Sequence, residues 1–368
     1  MQLVQANRDA LLKPLTMVAG IVERRNTMPI LANILVRKHG NTVSFIGTDS
    51  EVQISTQSDF GVGEDQESTT VAARKLLDIL RALPNTEVSL TQSGGKMQVQ
   101  AGKSRFALQT MPAADFPVVA QPETWDVSFT LPQKTLKHLF NQVHFAMAQQ
   151  DIRYYLNGLL FVFEPGFVRA VATDGHRLAH SATAVEGIAA RHDVIVPRKT
   201  VLEMQRLLSD VDDLVTVDVA TGQIRFRFGD VELISKLVEG KFPDYTRVIP
   251  TTYTRHFDID RELLQGSLQR AAILTTDKLK GVRLQLGENQ LKISASNAEQ
   301  EEAIEELDVD YTHEALDVGF NVSYLLDVLA NIKTPTLRWS VQPDVNASAL
   351  ITCPDDEHFK YVVMPMRI

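Results

Sequence analysis

The sequence has little cysteine and no long apolar run. One cysteine, Cys353, occurs in 368 residues, which excludes an internal disulfide framework and a cysteine-based zinc cluster. No window approaches 18 uninterrupted apolar residues, and the opening MQLVQANRDALLKPL lacks the basic-then-apolar pattern of a secretory signal. We therefore expect a cytoplasmic protein. Cys353 lies in LITCPDD, a pattern typical of a strand running into a turn, and we interpret it as a core or strand-end thiol.

Motifs for common enzyme chemistry are also missing. GxxxxGK[ST], GxGxxG and HExxH do not occur. The stretch ATDGHRL at 172–178 does bring an acid, a histidine and an arginine together, and Asp174 with His176 could serve acid–base chemistry or bind a metal. No second cluster of acid and histidine completes such a site. An enzyme stays open as one hypothesis for the function of this protein, and a protein scaffold without nucleic-acid contact is another.

What the sequence does contain is internal repetition. Helical periodicity starts at three similar segments, Leu11, Thr135 and Leu263, spaced 124 and 128 residues apart. Each is followed by two alternating runs that predict a hairpin, with the turns HGN, EPG and GEN. The hairpins end at equivalent positions, Asp49, Asp174 and Asn297. A second helical segment then follows, from Ala72, Pro197 and Asn321, and more strands come after it.

The repetition predicts an α+β fold of three similar domains, each with two helices packed on antiparallel sheet. We place the domains at 1–120, 128–247 and 248–368, because Pro-containing polar stretches lie at 118–126 and 247–255. Asp174 occupies the position of Asp49 and Asn297, so we expect it to accept hydrogen bonds within its turn. Pro197 suits the first position of a helix.

The charge is unevenly distributed. The formal net charge is −9, which by itself argues against a nucleic-acid partner, yet the predicted helices carry an excess of Lys and Arg. Such a pattern predicts a basic helical layer that could face phosphate. Residues 299–310 hold seven acids and no base, whereas 94–106 contain Lys96, Lys103 and Arg105 and no acid. Opposite charges at the two ends of one chain indicate head-to-tail association.

Specific motifs connect the chain to a known family. They are LLKPL (11–15), VAARKLLDIL (71–80), PAADFP (112–117), RYYLNG (153–158), ATDGHRLA (172–179), VIVPRK (194–199), KFPDY (241–245), RAAILT (270–275), GFNVSYLLDVL (319–329) and YVVMPMR at the end. Over essentially its full length the chain resembles the beta sliding clamps of bacterial replicative DNA polymerases. The segments 56–69, 181–192 and 338–359 match only loosely.

The resemblance implies a ring-shaped head-to-tail homodimer of six similar domains, whose helices line a hole for duplex DNA. It implies no catalytic residue, no cofactor and no metal. Twelve helices spaced about 10 Å apart would enclose a hole of roughly 28 Å, wider than the duplex of about 20 Å. Such a ring would confer processivity on a polymerase because it cannot leave a continuous duplex.

The resemblance also implies site residues. The DNA-binding positions are Arg24, Arg74, Gln149, Tyr154 and Tyr155. The dimer interface contains Lys96, Lys103, Arg105, Phe106, Leu108, Ile273, Leu274, Glu301, Glu302, Glu305 and Glu306. The pocket for partner peptides contains Leu156, Thr173, Gly175, His176, Arg177, Leu178, Pro243, Arg247, Val248, Asn321, Tyr324, Val345, Val363, Met364, Pro365, Met366 and Arg367. The implied partners of this pocket are the polymerase catalytic subunit, the clamp loader and other polymerases or repair factors, each through a short peptide motif.

Overall fold

A computed structural model describes residues 1–23, 27–276 and 280–368. It divides into two compact units, Met1–Lys134 with Arg206–Leu237, and Thr135–Gln205 with Val238–Ile368. The three predicted repeats are present, and each follows the order strand, helix, four strands, helix, three strands. The division between the two units therefore falls inside the second repeat. Within the described ranges, no helix combines the length and the hydropathy needed to cross a membrane.

The three repeats have closely matched elements. The first contains β1 (Gln2–Asn7), α1 (Arg8–Ala19), β2 (Asn33–His39), β3 (Thr42–Thr48), β4 (Val52–Ser58), β5 (Gln66–Ala72), α2 (Ala73–Ala82), β6 (Glu87–Ser93), β7 (Lys96–Ala101) and β8 (Ser104–Pro112). The second contains β9 (Val127–Pro132), α3 (Gln133–Asn141), β10 (Gly158–Glu164), β11 (Gly166–Thr173), β12 (Arg177–Val185), β13 (His192–Pro197), α4 (Arg198–Leu207), β14 (Leu214–Ala220), β15 (Gln223–Phe228) and β16 (Val231–Lys236). The third contains β17 (Arg255–Asp260), α5 (Arg261–Ala272), β18 (Gly281–Gly287), β19 (Gln290–Ser296), β20 (Glu302–Asp308), β21 (Leu316–Asn321), α6 (Val322–Asn331), β22 (Thr336–Val341), β23 (Ala349–Cys353) and β24 (Asp356–Val363).

All the sheets are antiparallel. The first unit holds a 12-stranded sheet in the order β1-β6-β7-β8-β5-β2-β3-β4-β16-β15-β14-β9. The second unit holds an eight-stranded sheet, β13-β10-β11-β12-β24-β23-β22-β17, and a four-stranded sheet, β20-β19-β18-β21. Two sheets are therefore continuous across the junction of one repeat with the next.

The two junctions are built in the same way. The fourth strand of a repeat pairs with the eighth strand of the following repeat: β4 with β16, and β12 with β24. Ser55 lies opposite Glu232 at the first junction, and His180 lies opposite Lys360 at the second. Ser55 and His180 are each the fourth residue of their strand. The sheet registers likewise make Glu232 and Lys360 equivalent, so the two junctions share one register.

Apolar stripes hold the helices on their sheets. In α2 the buried residues Leu76, Leu77 and Leu80 follow the three-to-four spacing of one helix face. Two predicted boundaries differ. The helical periodicity that starts at Thr135 continues to Met147, but α3 ends at Asn141 and is followed by a 3-10 turn at His144–Ala146. Pro197 pairs with Gly158 as the last residue of β13 and so precedes α4.

The helices remain basic with their observed bounds. Those described, α1 to α6, carry 12 Lys and Arg and 5 Asp and Glu, a net charge of +7. The whole chain carries −9. The acidic residues are therefore concentrated in strands and loops, as the sequence predicted.

Candidate functional site

A cavity of about 140 Å³ lies in the second unit, where β12 of the second repeat pairs with β24 of the third. Its lining residues are Arg153, Leu156, Thr173, Gly175, His176, Arg177, Leu178, Phe242, Pro243, Tyr245, Val248, Val362 and Met364. Nine of these were predicted from the sequence. The wall is mostly apolar, with Leu156, Leu178 and Val362 buried in one cluster beneath it. Such a surface binds apolar side chains.

The stretch ATDGHRL forms a tight turn at the edge of this cavity. The Asp174 carboxylate accepts hydrogen bonds from the backbone N–H groups of His176 (2.9 Å) and Arg177 (3.1 Å). Asp49 accepts equivalent bonds from the N–H groups of Glu51 and Val52 in the first repeat. The predicted role of Asp174 as a turn acceptor is thus confirmed. Gly175 has φ +91°, a backbone conformation that favours glycine.

Arg177 was predicted as a residue of the peptide pocket, and its side chain is only 9% exposed. It forms ion pairs with Asp174 (3.1 Å) and Asp327 (2.6 Å), and its guanidinium lies 4.3 Å from the ring centroid of Tyr324. Burial works to lower the pKa of Arg177, but the nearby Tyr361 and Asp327 outweigh it, and the pKa lies above its ordinary value. Arg177 therefore braces the cavity wall and is not a free cation for a peptide.

The C-terminal segment connects two sheets of the second unit. The Met364 N–H donates to the His176 carbonyl (2.9 Å), and the Met366 N–H donates to the Gly319 carbonyl of β21 (2.8 Å). A Cβ on Gly319 would lie 2.5 Å from the Met366 carbonyl oxygen, so only glycine allows this approach. The segment is thus a structural strap as well as a wall of the cavity.

The predicted pocket differs from the cavity at its margin. The predicted residues that do not line the cavity are Arg247, Asn321, Tyr324, Val345, Val363, Pro365, Met366 and Arg367. Val363 is fully buried, and the neighbouring Val362 lines the cavity instead because side chains alternate along a strand. Arg247 is largely exposed and pairs with Asp244 at 3.1 Å. Asn321 accepts a hydrogen bond from the Ser323 N–H at the start of α6.

Sequence reasoning missed four lining residues: Arg153, Phe242, Tyr245 and Val362. Arg153 and Phe242 belong to the motifs RYYLNG and KFPDY, so these motifs carried a usable signal. Arg153 forms a bidentate ion pair with Asp151 and also donates to the Asp174 carbonyl (3.1 Å). These bonds tie the loop before β10 to the ATDGHRL turn.

Three of the predicted DNA-binding residues share that loop. Gln149 is exposed, Tyr154 is 57% exposed, and the rings of Tyr154 and Tyr155 meet edge to face at 5.8 Å. Tyr154 and Tyr155 begin a 3-10 turn. Arg74 is an exposed residue in the first turn of α2, in the other unit. Arg24 lies outside the described residues.

Two of the open strand edges in the described part of the chain carry residues predicted for the dimer interface. Residues 104–109 of β8 pair with β7 alone, and β20 pairs with β19 alone. Lys96, Lys103 and Arg105 are exposed at the first edge, with Phe106 exposed and Leu108 half-buried. Glu301, Glu302 and Glu306 are exposed at the second, and Ile273 beside it is 76% exposed.

Glu305 differs from the other predicted acids of this edge. It lies on the face of β20 opposite to Glu302 and Glu306 and is half-buried. Arg270 of α5 donates two hydrogen bonds to its carboxylate, at 2.8 and 2.7 Å, and these bonds lower the pKa of Glu305. Its charge is therefore compensated within the chain.

Three similar repeats, with sheets that continue from one repeat to the next, define a clamp-type architecture. Family models agree with this class along the chain: the N-terminal, central and C-terminal domains of the DNA polymerase III beta subunit match residues 1–120, 130–244 and 246–367. The chain therefore belongs to the DNA polymerase III beta subunit family, the beta sliding clamps.

Individual relatives cover the same length. The beta sliding clamp of Escherichia coli K12 is 45% identical over 362 residues, 98% of each chain. That of Pseudomonas aeruginosa is 47% identical over 363 residues, again 98% of each. Among solved structures, the P. aeruginosa DNA polymerase III subunit beta matches with a TM-score of 0.95 at 45% identity, and Caulobacter crescentus pol III beta with 0.93 at 37%; each match covers 100% of both chains.

Proposed function

We propose that two copies of this chain pair head to tail into a ring that encircles duplex DNA and tethers a polymerase to it. The ring performs no chemistry of its own. The observation that carries the proposal is the repeated junction. Each chain joins a fourth strand to an eighth strand twice. One fourth strand, β20, and residues 104–109 of one eighth strand, β8, keep an edge without a partner strand. Pairing β20 of one chain with β8 of the next would repeat the same junction a third time.

The shared register makes this pairing specific. The register of each strand with its neighbour in the same repeat identifies equivalent positions in different repeats. Ser55 of β4 is equivalent to Ile304 of β20, and Glu232 of β16 is equivalent to Arg105 of β8. Ser55 lies opposite Glu232, so Ile304 is expected opposite Arg105 of the other chain. Lys103 then falls opposite Glu306. Basic side chains of one edge meet acidic side chains of the other, which favours this orientation.

A disulfide tests the register. Directly opposed residues of an antiparallel pair have Cβ atoms about 4.5–5.5 Å apart, close to what a disulfide needs. Arg105→Cys with Ile304→Cys should give a covalent dimer on mild oxidation. Arg105→Cys with Ala303→Cys is the matched control, because residue 303 points to the other face. Equal cross-linking of the two pairs would refute the register.

Apolar contact beside these edges is expected to hold the dimer. Ile273 and Leu274 follow α5, and Ile273 is largely exposed in the single chain. Replacing both by Ala should give monomers, since each buried aliphatic truncation costs about 2–5 kcal/mol. Light scattering that reports an unchanged dimer mass would contradict this assignment.

We further propose that the cavity beside ATDGHRL binds short, mostly apolar peptide segments of the polymerase, the clamp loader and other factors. Support comes from its apolar wall and from Met364, whose flexible side chain adapts to different shapes. His176→Ala and Met364→Ala should each weaken binding of a polymerase-tail peptide and leave the dimer mass unchanged. Peptide affinity that survives both substitutions would reopen the acid–base alternative for Asp174 and His176.

DNA contact is proposed at Arg24, Arg74, Gln149, Tyr154 and Tyr155. Basic helices inside a ring would attract phosphate without reading sequence. Arg74→Ala should weaken binding equally on all duplexes and flatten the salt dependence by up to about one unit of slope. A loss confined to one DNA sequence would contradict the proposal.

We also propose that the three domains span 1–120, 128–247 and 248–368, which the family matches support. The proposed place of action is the cytoplasm.

A further inference from the structure

The wall of the peptide cavity contains a sulfur atom that solvent can reach. Met364 lines the cavity and is 44% exposed. Its backbone is fixed, because Val363 pairs with Arg177 between β24 and β12 and the Met364 N–H donates to the His176 carbonyl at 2.9 Å. The thioether is therefore held in the wall and is open to small solutes as long as no peptide covers it.

Other sulfur-containing residues differ from Met364 in exposure or in place. Three methionines are buried: Met97, Met147 and Met204. The Cys353 thiol is also buried, and burial raises its pKa to about 12, so it holds almost no reactive thiolate at neutral pH. Met28 is 46% exposed but does not line the cavity. Met28 and Met364 are thus alike in exposure, and only Met364 belongs to the cavity wall.

One added oxygen would change the character of this wall. Oxidation converts the apolar thioether of methionine into a polar sulfoxide. In the free protein the new oxygen stays in contact with water, since the side chain is exposed. An apolar peptide that covers Met364 would remove this water. Leu156, Leu178 and Val362 offer only carbon atoms in place of it, and an acceptor buried without an equivalent hydrogen bond is unfavourable.

We propose that the Met364 thioether is a site of reversible oxidation that turns peptide binding off; this proposal rests on the peptide-binding function proposed above. The oxidant is a hydroperoxide. Its O–O bond breaks, an S=O bond forms, the sulfur loses two electrons, and hydrogen peroxide is reduced to water. A methionine sulfoxide reductase reverses the change with a dithiol as reductant. The sulfoxide oxygen then leaves as water, and the dithiol becomes a disulfide.

The test uses the full-length protein and a fluorescently labelled polymerase-tail peptide. The protein is oxidised stepwise with hydrogen peroxide, mass spectrometry measures the sulfoxide fraction at each methionine, and fluorescence polarisation measures peptide binding. The fraction of protein that binds with the original affinity should fall in step with conversion of Met364. The converted protein should bind about five- to hundredfold more weakly, the range for one polar group buried without a partner. Reductase with dithiothreitol should restore the affinity.

Two leucine variants separate Met364 from oxidation elsewhere. The readout is the ratio of Kd after oxidation to Kd before it, so a different starting affinity of Met364→Leu does not affect the comparison. This ratio should stay near one in Met364→Leu. Met28→Leu is the matched control, and its ratio should rise as in the unsubstituted protein. A further measurement needs no substitution: bound peptide should slow the oxidation of Met364 and leave that of Met28 unchanged.

The outcomes distinguish this proposal from the function on which it rests. A peptide that does not bind the untreated protein would refute the peptide site and the oxidation switch together. Unchanged affinity after full conversion of Met364 would overturn the switch alone. An equal loss of affinity in Met364→Leu, or equal oxidation of Met364 with and without bound peptide, would do the same.

Discussion

Removing the Arg177 side chain should destabilise the second unit more than removing any exposed arginine near it. Arg177→Ala would leave two carboxylates, Asp174 and Asp327, without the guanidinium that both contact, and would empty the place beside the Tyr324 ring. Breaking a buried pair by removing one partner costs about 3–5 kcal/mol. Asp327 is 43% exposed, so water compensates part of its charge, and we expect about 3 kcal/mol.

The thermal unfolding of the second unit can be followed separately by tryptophan fluorescence. Trp339 is fully buried in the third repeat, and Trp125 is the other tryptophan of the chain. In a Trp125→Phe background, tryptophan fluorescence therefore reports on the second unit alone. A loss of about 3 kcal/mol should lower the thermal midpoint by about 6–12 °C for a unit of this size.

Arg247→Ala is the matched control, because Arg247 also forms one ion pair but its side chain is 85% exposed. Exposed pairs contribute about 0–1 kcal/mol, so this variant should shift the midpoint little. A double variant, Arg177→Ala with Asp327→Ala, should be less destabilised than the sum of the two single changes. Equal midpoints for Arg177→Ala and Arg247→Ala would refute the bracing role of Arg177.

Three further outcomes follow from single residues of the second unit. Burial raises the pKa of the Cys353 thiol to about 12, so the native protein should not react with a thiol reagent at pH 8 and should react on unfolding; rapid native modification would contradict this. Burial lowers the pKa of His180 to about 4, below the unfolded value of about 6.5. The stability associated with neutral His180 is complete above about pH 6.5 and falls by up to about 3 kcal/mol as the pH drops to 4; His180→Gln should flatten that slope in unfolding curves. Gly319→Ala should disturb the C-terminal strap and weaken peptide binding, whereas Gly287→Ala, which has open space around it, should not.

The repeated fold was predictable because its signals are local and occur three times. Alternating apolar residues and short turns identified the hairpins, and their equivalent ends identified Asp49, Asp174 and Asn297 as one position. The end of α3 was not predictable from periodicity, since apolar residues continue into the 3-10 turn at 144–146. An α-helical turn and a 3-10 turn both place apolar residues at three-to-four spacing. Their backbone hydrogen bonds distinguish them, and the sequence pattern does not show these bonds.

The site was predictable in its motifs and not in its details. The motif ATDGHRL identified Arg177 as a pocket residue, but the burial of its side chain depends on Asp327 and Tyr324, which lie about 150 residues away. In the same way, the choice of Val362 over Val363 depends on the register of β24 with β12. Long-range pairing sets both features, and a motif carries no information about it.

The shared register of the two junctions has a consequence for assembly. Within one chain, the polypeptide tethers the two strands of each junction. Their effective concentration relative to each other is therefore about millimolar and does not change when the protein is diluted. The same pairing made between β20 and β8 of two chains has no tether and obeys mass action. The junctions within a chain and the pairing between chains are chemically similar, but only the pairing between chains depends on protein concentration. Dilution should therefore open the ring between β20 and β8 and leave the junctions within each chain intact.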